Sequence, residues 1–78
     1  MIRLETNDRY YVIDLKTDLL GDLVITCFYG SLNSNLNHMQ THFAPDYKSA
    51  ENKINDIVRT RFKHHYDLVC DTENWLAA

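Results

Sequence analysis

The sequence predicts an α+β domain: a small antiparallel β-sheet, a meander of three to four strands, with one α-helix packed across a face. Three observations predict it. Residues 10–15 and 37–43 alternate apolar and polar side chains, the period of two that sends successive residues to opposite faces of a strand. Residues 47–63 instead repeat apolar side chains at the three-and-four spacing of an amphipathic helix. Between these blocks stand short stretches of Asp, Gly, Ser and Asn, which turn a chain by bonding their own backbone or by tolerating unusual dihedrals.

Taken in order, YYVIDL at 10–15 sets Tyr11, Ile13 and Leu15 against Asp14, the pattern of a half-buried strand. TDLLGD follows as a turn, where Asp18 offers an acceptor and Gly21 is suited to a positive φ. Residues 23–29 are apolar on both faces, as in a strand covered from both sides, and Gly30 ends it. SLNSNLN reads as a hairpin loop. NHMQTHF then places Met39, Thr41 and Phe43 on one face and His38, Gln40 and His42 on the other.

Pro45 breaks the strand pattern and Asp46 is suited to cap the helix. Tyr47, Ala50, Ile54, Ile57, Val58 and Phe62 form its apolar face, expected against Tyr11, Ile13 and Phe43. Arg61 falls inside that stripe, so its guanidinium is expected to snorkel or to find an acid or carbonyl at the core edge. YDLVC at 66–70 reads as a short fourth strand, and the tail DTENWLAA ends with the apolar pair Trp75-Leu76.

Size and charge bound the function. A chain of 78 residues, 45% hydrophobic and 24% charged, is one folded domain, too short for both a core and a deeply enclosed catalytic cavity. This argues against an enzyme. Net charge is −3, so the molecule as a whole does not attract phosphate, but residues 46–65 carry five basic and three acidic groups and form the positive segment. The first fifteen residues hold no apolar run of signal-peptide or membrane-span length, and a cytoplasmic location is the expectation. Cys27 and Cys70 lack CxxC spacing, which fits reduced thiols.

The residues that could carry chemistry are few. His38 and His42 share a strand face but lie about 13 Å apart along it, too far to share a zinc, and no metal or cofactor is expected. There is no GxSxG, HExxH or phosphate loop, and Ser31 beside Gly30 reads as a turn residue. Lys48, Asn52, Asn55, Arg59 and Lys63 step along the outer helix face as a basic, amide-rich stripe that could hold phosphates. The other candidate is the corner VITCFYGS. Phe28 and Tyr29 point to opposite faces, and Gly30 would let a base, sugar or partner backbone approach the ring.

The order of these parts resembles the WGR domain, a module found as small stand-alone bacterial proteins and within poly(ADP-ribose) polymerases. The likeness spans about residues 8–70 of a single domain 1–78. It rests on the aromatic first strand to Leu15, the Asp18-Leu19 and Gly21 turn, Tyr29-Gly30, Phe43, Ala50, Arg61 and Tyr66. Where the family carries Trp-Gly-Arg this chain has Tyr29-Gly30-Ser31, and His65 stands where the family often has Gly. The resemblance implies a non-enzymatic binding module that contacts DNA through this edge. The ring carries over to Tyr29; Ser31 replaces the arginine with a weaker hydrogen bond. The expectation is weak nucleic-acid binding through Tyr29, Gly30, Ser31, Lys48, Arg59 and Lys63, with a protein-interaction module as the alternative and no membrane role.

Overall fold

The computed structural model describes residues 1–76. Its strands are β1 (Ile2–Glu5), β2 (Arg9–Thr17), β3 (Leu23–Ser31), β4 (Asn37–Ala44) and β5 (Asp67–Asp71), with one helix, α1 (Tyr47–Lys63), before β5. The sheet order is β4-β3-β2-β1-β5, and every neighbouring pair is antiparallel. The fold is α+β, with α1 across one face of a five-stranded sheet.

The alternation in the second strand decides what the helix covers. Tyr11 and Ile13 turn toward α1 and are buried with Ile2 and Leu4 of β1 and Ile25 and Cys27 of β3. From the helix come Ala50, Ile54 and Val58, each at most 2% exposed. The turn between β2 and β3 is closed by Asp18, whose carboxylate accepts the N–H groups of Leu20 and Asp22, and Gly21 takes φ +86° as expected. Asp46 caps α1 by accepting the Ser49 N–H at 2.8 Å. The helix ends through His65, at φ +68°, with the His65 and Tyr66 N–H groups donating to the carbonyls of Phe62 and Arg61.

Five expectations are corrected. Residues 2–5 form a fifth strand, too short for its own periodicity to show but buried through Ile2 and Leu4 against β2. Phe43 does not meet the helix; it is 73% exposed on the opposite sheet face, and His38, Gln40 and His42 lie on the helix side. At the helix ends Tyr47 and Phe62 are exposed, and the buried positions of α1 are Ala50, Ile54 and Val58. The strand that reads as covered from both sides is covered from one, so Phe28 is left exposed and Val24 only half-buried. It also runs past Gly30 to Ser31, and the last strand begins after Tyr66. The tail packs back on the domain: Trp75 stacks on Tyr47 at 5.2 Å, and the Leu76 N–H donates to Asp71.

Candidate binding groove

Strand register alone builds the centre of the candidate site. Tyr11 stands directly opposite Tyr29, and Tyr29 opposite His38, all on the helix side of the sheet. The three rings stack into a ladder. Tyr11 and Tyr29 lie 5.3 Å apart at 10°, Tyr29 and His38 5.3 Å apart at 21°. The inner end is closed by Tyr66, edge-on to Tyr11, and by Arg61, whose guanidinium carbon sits 4.8 Å over Tyr11 and 5.4 Å over Tyr66. Of the two expectations for Arg61, snorkelling or an acid or carbonyl partner, the second is not met among the described residues: rings hold the guanidinium, and its Nε is buried there without a hydrogen-bond partner. At the outer end His38 is exposed on an edge strand, and among the described residues no ring covers its outer face.

A groove of about 340 Å³ runs beside the ladder, lined by Arg9, Tyr29, Gly30, Ser31, Ser34, Leu36, His38 and Tyr66. A second hollow of about 270 Å³ lies between sheet and helix, lined by Tyr11, Gln40, His42, Lys53, Arg61 and the acid Asp56, which pairs with Arg59. Arg9, Arg61, His64, His65 and Tyr66, together with Thr6 and Asp8, border a third depression at the helix end, which shares Arg9 and Tyr66 with the first and Arg61 with the second. All four histidines therefore border one seam.

The cations divide by position. Arg3 pairs with Glu5 at 2.6 Å, Lys16 with Asp14 at 4.0 Å, Lys48 with Glu51 at 3.8 Å and Arg59 with Asp56 at 3.5 Å. Among the described residues Arg9, Lys53, Arg61 and Lys63 form no ion pair, and the first three line the seam. Of the residues singled out from sequence, Tyr29, Gly30 and Ser31 border the groove. Lys48, Arg59 and Lys63 border none of these hollows, and two of them are already paired. Sequence reasoning missed Arg9, His38 and Tyr66 as groove residues. The available signal was Arg61 itself, a cation inside an apolar stripe that had to be matched by something unusual.

Gly30 has a different purpose from the one expected. A Cβ there would lie 2.6 Å from the Leu36 carbonyl oxygen and 3.2 Å from the Tyr10 hydroxyl. Tyr10, its partner in β2, reaches across Gly30 to hydrogen-bond the Asn37 side chain, while Arg3 lies over the Tyr10 ring. The vacant position is filled by the protein's own atoms on the face away from the helix. Ser31 is a turn residue, its Oγ accepting the Asn33 N–H at 3.1 Å.

Titration follows burial. The Tyr11 hydroxyl is pushed up by burial and by the neighbouring Cys27 thiol, and burial pushes Cys27 up, so both stay protonated at neutral pH. His42 is held below its ordinary value by partial burial and by Lys53. Both cysteines are free thiols. Among the described residues no group of three His, Cys, Asp or Glu side chains is placed to hold a metal, and no helix is long and apolar enough to cross a membrane. Comparison with protein-family models, curated proteins and solved structures found no match to this chain.

Proposed function

We propose that the chain is a non-enzymatic, WGR-like nucleic-acid-binding module. It stacks an unpaired base on the outer face of His38 and holds neighbouring phosphates with Arg9, Arg61 and Lys53. One observation carries the reading: three of the four cations that form no ion pair among the described residues, Arg9, Lys53 and Arg61, line the same seam as an aromatic ladder whose outer ring no other ring covers there. Stacking tolerates any base and contributes roughly 1–3 kcal/mol per base. Three cations release few counterions, so binding is weak and the salt slope shallow, about −2 for a single strand. Relative to the expectation from sequence, the stacking ring moves from Tyr29, which is sandwiched between Tyr11 and His38, to His38 itself, and the phosphate contacts move from the outer helix stripe to the seam.

Titration of labelled single-stranded, nicked and duplex DNA at two salt concentrations tests this. Single strands and exposed ends should bind best. His38→Ala should weaken binding by about 5- to 150-fold, the equivalent of 1–3 kcal/mol. Ser31→Arg should strengthen it, and Lys48→Ala should leave it unchanged. Absence of binding at low salt by wild type and Ser31→Arg alike would refute the reading. The uncovered sheet face, with Phe28, Met39 and Phe43 exposed, favours a second reading, a protein-interaction module with no nucleic-acid role.

A further inference from the structure

The two edges of the sheet are built differently. β5 is five residues long, carries Asp67 and Asp71, and is bulged against β1: Arg3 faces Cys70 and Leu4 faces Leu68, which leaves Val69 without a partner. Acids, shortness and a bulge are the devices that stop an edge strand from recruiting another. β4 has none of them. It is eight residues long, its pairing to β3 is unbroken, and it contains no Lys, Arg, Asp, Glu or Pro. Among the described residues its outer backbone groups have no strand partner.

We propose that β4 pairs antiparallel with β4 of a second copy of this chain, giving a ten-stranded sheet with both helices on one side. A two-fold axis through such a pair stands perpendicular to the sheet, so each residue meets one from the same face, and the two residue numbers sum to an even value. The side chains choose among these registers. Centring on Thr41 sets Thr41 against itself, Gln40 against His42, and Met39 against Phe43 twice over. Met39 and Phe43 are 66% and 73% exposed in the single chain, and the pairing gives each an apolar neighbour. Centring on Gln40 would oppose His38 to His42 and Phe43 to Asn37, and centring on His42 would set Pro45, which lacks an N–H, against Met39 inside the ladder, where centring on Thr41 brings it only to the end, opposite Asn37.

The self-matching register, with Met39 against Phe43 on both sides of the axis, singles out a second copy as the occupant, and local charge permits it. The chain is at −3, yet the open-face residues of β3 and β4, Val24, Thr26, Phe28, Met39, Thr41 and Phe43, are all uncharged, so self-pairing opposes no like charges there. A strand pair of this size falls below the ~1,600 Å² standard interface, so the dimer is reversible. It needs neither the aromatic ladder nor nucleic acid.

Sedimentation velocity over a concentration series, without nucleic acid, tests the proposal. Wild type should move from monomer toward twice the monomer mass as concentration rises. Thr41→Lys, which opposes two charges at the axis, should remain monomeric, and Val69→Lys on the other edge should dimerise like wild type. Met39→Lys provides a second monomeric variant, and circular dichroism verifies that each variant is folded. Amide exchange at residues 39–43 should slow with wild-type concentration. A wild type monomeric throughout, dimerisation of folded Thr41→Lys and Met39→Lys, or dissociation of folded Val69→Lys would each overturn it. Because this register sets His38 opposite Ala44 of the second copy, the dimer and a base on His38 compete for one edge, and the DNA titration is run at concentrations where sedimentation shows monomer.

Discussion

Gly30→Ala separates two explanations for a glycine beside an aromatic ring. A glycine kept for ligand approach could accept a methyl group with little effect on folding. Here the methyl carbon would lie 2.6 Å from the Leu36 carbonyl oxygen, a backbone atom of the β3-β4 connection, and 3.2 Å from the Tyr10 hydroxyl. Gly30 lies outside the left-handed region, so Ala meets no dihedral penalty and the cost is contact alone. Overpacking of this kind costs about 1–3 kcal/mol, while replacing a strand glycine returns about 0.5–1 kcal/mol through the unfolded chain. The net expectation is a loss of about 1–2 kcal/mol, or roughly 4–16 °C in Tm for a domain of this size. Urea denaturation with the m-value held constant measures it. Adding Tyr10→Phe should not restore stability, because the nearer clash is with the Leu36 carbonyl. A midpoint for Gly30→Ala within error of wild type would refute the packing argument.

Three further outcomes are expected. His65→Gly should stabilise the domain by about 0.5–1 kcal/mol in the same assay, since His65 holds φ +68° at the helix end and Gly adopts that conformation without a Cβ clash. Ile54→Ala, at a site 1% exposed, should cost about 2–4 kcal/mol, whereas Phe43→Ala, at a site 73% exposed, should cost well under about 1 kcal/mol in dilute, monomeric protein. Asp46 titrates below its usual 3.8 because it accepts the Ser49 backbone N–H. A depressed carboxylate pKa contributes stability that is present above 3.8 and lost as pH falls through the folded value. Thermal melts of wild type and Asp46→Ala should therefore differ at neutral pH and converge in strong acid.

Local patterns carried much of this molecule. The helix over 47–63, its Asp46 cap, the positive φ at Gly21 and the three central strands follow from spacing and turn chemistry, interactions that span only a few residues. Arg61 was legible as an anomaly but not as a ring-bound cation, because Tyr11 and Tyr66 reach it from distant positions in the chain. The N-terminal strand was hidden because four residues hold too little of a period to declare themselves.

The sequence by itself determined which residues of β4 share a face, since alternation is a property of the strand alone. Only the tertiary structure decided which face the helix covers. Covering the side of His38 completes the Tyr11, Tyr29 and His38 ladder and leaves Met39 and Phe43 open. Likewise the sequence marked Gly30 as a place that excludes a side chain, while the register with Tyr10 and the path of Leu36 decided what occupies the space. The physical reason is common to both. Periodicity and dihedral preference act between near neighbours, but coverage and cross-strand contact depend on residues brought together by the assembled sheet.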